Sequence, residues 1–190
     1  MKGKFGYLLA IGIIVVLVLA IGGTIWGTYN SLVTKSQAID GQWAQVETQY
    51  QRRYDLVPNL VNSVKGIMAQ EQKVFSDISN ARTRYGQATT TNEKAVAGSE
   101  LEITLGRLLV IMENYPQLRS IEAVTNFMDE LAGTENRISI ERRRYNELVR
   151  DYNTAIKTFP RNMLAGMFGF TSRDYFMSVS GADKAPKVEF

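Results

Sequence analysis

The residues most able to do chemistry form two polar groups in separate parts of the chain, and we call them together the polar seam. Its members are Arg53, Asp55, Asn59, Glu135, Asn136 and Arg137. Glu135 follows Leu131 by four residues and precedes Ile138 by three, which predicts a position on the apolar stripe of a helix. Because an unpaired buried carboxylate is costly, we expect Glu135 to face the cationic group around Arg53.

Two interpretations of the polar seam are open. In the first, the seam forms a pocket that binds a ligand or the backbone of a partner protein. In the second, it is a buried ion-pair layer that fixes the register of the helices, as polar residues at core positions of coiled coils do. The second interpretation is favoured. Both predict damage on mutation, but only the first predicts loss of function without loss of fold.

The sequence gives little support for other catalytic or metal-binding motifs. The chain has no Cys and no His, which excludes thiolate nucleophiles, imidazole bases and nearly every zinc, copper or haem site. Two carboxylate pairs, Asp129 with Glu130 and Glu100 with Glu102, are one and two residues apart, so they project from different faces of a helix. We therefore expect no catalytic residue, no metal and no cofactor, and a protein that is not an enzyme.

A long uncharged segment precedes these residues. Residues 5–34 contain no charge, and residues 7–26 alone would form about 30 Å of helix, the hydrocarbon thickness of a bilayer. Tyr7 at one end, and Trp26 with Tyr29 at the other, stand where aromatic side chains anchor a membrane span. The segment is longer than the apolar region of a cleaved signal peptide and more uniformly apolar than most buried helices. It predicts an uncleaved signal anchor that crosses the membrane once.

The charges on either side of this segment predict its orientation. Lys2 and Lys4 precede the span, whereas Lys35 is the first cation after it. The positive-inside rule therefore keeps the N-terminus in the cytoplasm and places the body on the outer side of the cytoplasmic (inner) membrane.

The charges of the body argue against nucleic acid as a partner. After the span, the chain carries 20 of its 22 basic residues against 19 acidic ones, with the signs interspersed. Arg142, Arg143 and Arg144 occupy successive positions and fan over nearly a full helical turn, so we expect them on a solvated face.

After residue 30, apolar residues recur at helical spacing almost without interruption. Asp55 and Pro58 favour a helix start, whereas the polar residues 87–98 indicate a loose loop. The pattern predicts an all-α fold, in which a single transmembrane helix precedes a long antiparallel up-and-down four-helix bundle. A single extended coiled coil is the alternative, and Pro58 and Pro116 argue against it. The predicted helices cover residues 32–50, 58–86, 101–115 and 120–159.

An apolar tail follows the last predicted helix. It can insert into a membrane interface, dock a partner or close the end of the bundle, and the last is favoured because short apolar segments after a final helix usually pack back. Residues 171–190 are predicted to be a partly flexible C-terminal tail. The members of the apolar tail are Met163, Leu164, Met167, Phe168 and Phe170.

Several segments resemble the signature segments of the LemA family. They are RRYDLVPNLV at 52–61, AR at 81–82, LAGTENRI at 131–138, YNTAI at 152–156 and GMFGF at 166–170. The resemblance implies a single N-terminal membrane helix, a long four-helix bundle and no established catalytic activity. LemA-like proteins are found beside membrane metalloproteases of the heat-shock type, and a related branch takes part in magnetosome membrane formation.

Three functions remain open. The favoured one is a non-enzymatic scaffold or adaptor that recruits or regulates a membrane protein, such as a membrane metalloprotease. The second is membrane shaping through lateral self-assembly and lipid contact. The third is a receptor that binds a small ligand or peptide at Arg53 and Glu135.

The expected partners follow from these functions. They are the lipid bilayer through the N-terminal helix and a membrane protein, with a homo-oligomer as an open alternative. Gly23 and Gly27 form a small-xxx-small pair that can seat a partner helix, but Gly is common in membrane helices, so the absence of a dimer through this pair is favoured. The predicted domains are a cytoplasmic stub with the anchor at 1–29, the LemA-like helical bundle at 30–170 and the tail at 171–190.

Overall fold

The computed structural model describes residues 2–176, which are predominantly helical. This range contains five α-helices and one short 3-10 helix at Pro116–Ser120, and no strand. The predicted all-helical fold class with one long apolar N-terminal helix is confirmed. The α-helices are α1 (Lys2–Val64), α2 (Gln72–Gln87), α3 (Thr91–Met112), α4 (Glu122–Lys157) and α5 (Arg161–Met167).

The first helix is continuous over 63 residues, so the predicted break before Pro58 is wrong. Inside a helix, a proline cannot donate to the carbonyl four residues earlier, which here belongs to Tyr54. That carbonyl instead accepts a hydrogen bond from Nε of Arg82 on α2, at 3.4 Å. The Arg82 guanidinium also lies 4.0 Å from the centre of the Tyr54 ring. A side chain from another helix thus supplies the bond that Pro58 cannot make.

The third helix begins at Thr91, so the loop predicted over residues 87–98 is too long. Thr90 and Glu93 form a capping box, in which Oγ1 of Thr90 accepts from the Glu93 N–H at 3.2 Å. The Glu93 carboxylate accepts from the N–H groups of Thr89 and Thr90, at 2.9 and 3.1 Å. These bonds, first from Thr89 and then from Thr90, favour the ionised form and lower the pKa of Glu93 from its usual 4.5.

The described residues form two compact units. The first contains residues 2–41 and Asn146–Tyr175, and the second contains Gln42–Tyr145 and Phe176. In the second unit, α1, α2, α3 and α4 all contribute to one hydrophobic core, as their apolar spacing of three and four predicts. Its members include Val57, Leu60, Val64, Met68, Ile78, Leu101, Leu105, Leu108, Leu118, Phe127 and Leu131.

The first unit contains the apolar part of α1. The most apolar window of 18 residues has a mean hydropathy of 2.3, and none of it is buried. By length and composition, α1 can cross a membrane, and it is the one helix of the described chain that can. Beyond this segment, α1 and α4 bury apolar residues of the same unit: Leu32, Ile39, Val149, Tyr152 and Ile156.

The end of α4 departs from the predicted stripe. Phe159, the last residue of the predicted fourth helix, is 75% exposed, because the helix ends at Lys157. Val149 is fully buried, whereas its neighbour Leu148 is half-buried. The predicted tail after Phe176 lies outside the described residues.

Candidate functional site

Arg53 on α1 is the centre of a polar layer that joins three helices. Its side chain is 1% exposed. Nη2 of Arg53 donates to Oε2 of Glu135 on α4 at 2.6 Å, and Nη1 lies 3.5 Å from Oε2 of Glu102 on α3. One enclosed cation is therefore shared by carboxylates from two other helices.

A second arginine, Arg142 on α4, completes this layer. Its Nη2 donates to Oε2 of Glu102 at 2.7 Å, and its Nε donates to the hydroxyl of Tyr50 on α1 at 3.1 Å. Its guanidinium lies 5.4 Å from the centre of the Tyr50 ring. We define the arginine layer as Tyr50, Arg53, Glu102, Glu135 and Arg142.

The charges of the arginine layer balance, since two guanidinium groups face two carboxylates. Burial raises the pKa of Glu102 above its usual 4.5; the Arg142 cation opposes this rise, and the Glu135 carboxylate adds to it. Burial also raises the pKa of Tyr50, against the Arg142 cation. Tyr50 therefore remains a neutral hydroxyl at neutral pH and accepts hydrogen bonds from Arg142.

Close packing holds Tyr50 against α3. A Cβ atom on Gly98 would lie 2.5 Å from Cε1 of Tyr50, which is too close for any side chain. The next residue, Ser99, has its Oγ 3.4 Å from Nη2 of Arg142. The absence of a side chain at Gly98 therefore leaves room for the Tyr50 ring, next to the contact between Ser99 and Arg142.

The predicted polar seam lacks three of the five members of the arginine layer: Tyr50, Glu102 and Arg142. Arg142 lies on the predicted solvated face, but its side chain is mostly enclosed by the contacts above, so that prediction is wrong for Arg142. Arg143 and Arg144 are exposed, as predicted. The spacing of Glu102 from Glu100 argues against a paired carboxylate site within α3. The partners of Glu102 come from other helices, so no spacing within α3 identifies them.

The structure brings together Arg53 and Glu135 from the predicted polar seam and leaves the other four on exposed surfaces. Oδ1 of Asp55 accepts from Nε2 of Gln51 at 2.9 Å, one turn earlier on α1. Asn59 is exposed on α1, and Asn136 and Arg137 are exposed on α4.

The predicted burial of Glu135 on the apolar stripe is wrong. Its side chain is 50% exposed, whereas Thr134 is buried between Leu131 and Ile138. Positions 134 and 135 are both compatible with helical spacing, so the pattern alone does not separate them. The Thr134 hydroxyl donates to the carbonyl of Leu131 at 2.9 Å, which satisfies it within its own helix.

One face of α4 lines a shallow cavity of about 340 Å³. The Glu130 carboxylate at its edge is held by Arg52 of α1, at 2.8 Å. We call this surface the α4 polar face. Its lining residues are Asn126, Asp129, Glu130, Gly133, Thr134 and Arg137.

The predicted anchor residues Tyr7 and Trp26 are largely exposed, as a lipid-facing position requires. Tyr29 also contacts the apolar tail. Its ring centre lies 5.1 Å from that of Phe168 and 5.8 Å from that of Phe170. Leu164 is half-buried, whereas Met163 and Met167 of the tail are exposed.

Comparison with known proteins identifies the family. The sequence profile of the LemA family matches residues 42–190. The chain belongs to the LemA family. The match covers the arginine layer and the α4 polar face, whereas the apolar segment of α1 precedes it.

Relatives of this LemA protein include magnetosome proteins. It is 29% identical over 192 residues to Magnetosome protein MamQ 2 and also to MamQ 1 of Paramagnetospirillum magneticum, with 87% of this chain and 71% of each relative covered. It is 24% identical over 140 residues to Protein LemA of Metamycoplasma hominis, with 73% of this chain and 64% of that protein covered.

Proposed function

We propose that this LemA protein is a membrane-anchored, non-enzymatic scaffold that recruits or regulates other membrane proteins. The observation that carries the proposal is the arginine layer. Its two cations and two carboxylates pair with one another across α1, α3 and α4, and Arg53 at its centre is enclosed. A self-neutralised layer of this kind fixes helix register, since each charge is costly without its partner. Its charged side chains therefore stabilise the packing of the helices and are not available to bind a substrate.

The scaffold in this proposal is an antiparallel up-and-down four-helix bundle. The contacts of Gln42 with Glu141 and of Arg52 with Glu130 support it, because residue numbers rise along α1 while they fall along α4. The contacts of Glu47 with Lys94 and of Arg53 with Glu102 support a parallel course of α1 and α3, as alternating helices of such a bundle have.

The apolar segment of α1 is the membrane anchor in this proposal. The absence of any buried residue in its most apolar window supports a lipid environment, since soluble proteins rarely expose so large an apolar surface. The lysines before the segment favour an N-terminus in the cytoplasm and a body on the outer side of the cytoplasmic membrane.

The α4 polar face is the surface proposed to bind the partner, a membrane protein such as a membrane metalloprotease. Asp129, Glu130 and Arg137 present charges of both signs around its cavity. Charges arranged in this way favour specific over non-specific binding of a partner. The adjacent Asn136 is exposed on the same helix.

Purification of tagged full-length protein from its native membrane tests the partner surface. We expect wild type and Arg150→Glu to retain the same membrane protein, and Arg137→Glu to retain about tenfold less of it. Arg150 is the matched control because it is an exposed α4 arginine that forms an ion pair with its neighbour Asp151. Helicity and melting temperature should be equal in all three. Equal retention by both variants would contradict the proposal.

A second candidate is a membrane-shaping protein that assembles laterally and contacts lipid. The similarity to the magnetosome proteins MamQ 1 and MamQ 2 favours it. In that case, the purified material would contain further copies of the chain and lipid, with no foreign membrane protein.

A further inference from the structure

We propose that α5, together with Phe168, is a second membrane contact that lies in the lipid–water interface beside the end of the α1 apolar segment. This inference rests on the membrane anchor proposed above and adds a second surface to it. The occupant of the exposed α5 face is the bilayer itself, and not a protein.

The first observation is the exposed apolar side of α5. Met163 is 62% exposed and Met167 is 77% exposed, and the two stand one helical turn apart. Phe159, just before the helix, is exposed as well. In contrast, Ala165 is buried, so the opposite side of α5 packs against its own unit. Apolar residues grouped in this way on a surface mark an interaction site.

The second observation is the level at which α5 lies along α1. The Phe168 ring meets the ring of Tyr29 edge-on at 5.1 Å. An apolar cleft of about 340 Å³ lies at this contact, lined by Gly22, Ile25, Trp26, Tyr29, Asn30 and Phe168. Trp and Tyr at the end of an apolar span sit at the level of the lipid headgroups, so α5 lies at that level too.

The third observation is that side-chain bonds fix the chain after α5. Nδ2 of buried Asn153 donates to the Arg173 carbonyl at 2.8 Å, and its Oδ1 accepts from the Arg173 N–H at 2.9 Å. The Arg173 guanidinium in turn bonds Ser36 at 3.0 Å and lies 3.2 Å from Asp40, both on α1. These contacts tie the segment to α4 and α1, next to the point where Phe168 and Phe170 contact Tyr29.

The fourth observation selects lipid over protein. Between Asp151 and Asp174 the chain contains no Asp or Glu, and its cations are Lys157, Arg161 and Arg173, of which Arg173 pairs with Asp40. Lys157 and Arg161 are exposed at the two sides of Phe159. Exposed cations next to apolar side chains match the charge and polarity of an interface with anionic headgroups.

Depth-dependent quenching tests the inference in the full-length protein. The chain has no native Cys, so Met167→Cys gives a single site for an environment-sensitive NBD label. The labelled protein is reconstituted in phosphatidylethanolamine and phosphatidylglycerol vesicles that carry spin-labelled lipid, either at the headgroup or in mid-chain. Trp26→Cys reports on the anchor. Met128→Cys is the matched methionine control, since Met128 is an exposed residue of α4 in the other unit.

We expect headgroup spin labels to quench Met167→Cys about threefold more than Met128→Cys, and more than mid-chain labels quench it. Met163→Cys should give the same result, which guards against a local defect at position 167. If Trp26→Cys is quenched and Met167→Cys behaves like Met128→Cys, the α5 inference is wrong while the anchor stands. If neither Trp26→Cys nor Met167→Cys is quenched, the proposed anchor fails as well. A blue-shifted Met167→Cys label that lipid does not quench would show that protein covers this face, which also overturns the inference.

Discussion

Nη2 of Arg53 lies 2.6 Å from Oε2 of Glu135, and this pair joins a side chain that is 1% exposed to one that is 50% exposed. The cation is enclosed on α1, while its carboxylate partner keeps contact with solvent on α4. Desolvation of both partners is the main cost of a buried ion pair. The arginine layer therefore neutralises a buried charge without the full cost of burying Glu135.

Substitution of Arg53 tests the structural role of this layer. Arg53→Met should lower the free energy of unfolding by about 3 kcal/mol, because Glu135 loses its cationic partner and Arg142 alone then remains to balance two carboxylates. Urea unfolding of the full-length protein in detergent, followed by circular dichroism, measures the change.

The neighbouring arginine supplies the control for this substitution. Arg52 pairs with Glu130 at the surface, so Arg52→Met should change the unfolding free energy by less than about 0.5 kcal/mol. Adding Glu135→Gln to Arg53→Met should restore part of the loss, since it removes one of the two carboxylates. Equal losses for the two methionine variants would show that the layer is not a stabilising element.

Gly98 tests the close approach between α3 and Tyr50. Gly98→Ala should lower the unfolding free energy by about 1–3 kcal/mol, because the new Cβ would overlap the aromatic ring. Gly106→Ala on the same helix meets no atom within 4 Å and should raise the unfolding free energy by about 0.5–1 kcal/mol, through helix propensity. Thermal unfolding of both variants measures the difference, and stabilisation by Gly98→Ala would refute this packing.

The capping box of α3 predicts a pH dependence. The folded state lowers the pKa of Glu93 from 4.5, so the unfolded state binds this proton more readily. The stabilisation by Glu93 is therefore fully present above pH 4.5 and is lost as the pH falls through the lowered pKa. Glu93→Gln should remove this part of the pH dependence, whereas Glu100→Gln on the same helix leaves the capping box intact. NMR titration of the Glu93 carboxyl provides the direct check, and a midpoint at or above 4.5 would count against the capping box.

Labelling from outside the cell tests the orientation of the body. Lys73→Cys places a single thiol on the exposed side of α2, since the chain has no other Cys. A maleimide that cannot cross membranes should label this site in intact cells whose outer layers are permeable. Labelling only after disruption of the cytoplasmic membrane would place the body in the cytoplasm and reverse the predicted topology.

The sequence predicts the buried stripes of the helices well and the polar contacts between them poorly. Spacings of three and four locate residues such as Val46, Leu101 and Leu108, because burial of a stripe depends on one helix alone. In contrast, the partners of Pro58 and Arg142 come from other helices, so local patterns misplace the first as a break and the second as solvated.

The start of α3 is a different case, because its signal is local. Thr90 and Glu93 have the spacing of a capping box, three residues apart, and this spacing is visible in the sequence. The threonines at 89–91 also match a loop, because β-branched polar residues are frequent in loops. The capping-box spacing is therefore a more specific indication of this helix start than the composition of the segment.

Photo-crosslinking from the α4 polar face is the most direct test of the scaffold proposal. A photoreactive residue replaces Asn136 in the full-length protein, in its native membrane, and a second variant carries it at Lys73 on α2. We expect one defined foreign membrane protein to be attached from position 136 and not from position 73. Products that contain only further copies of the chain or lipid, or the same products from both positions, would contradict a partner-recruiting scaffold.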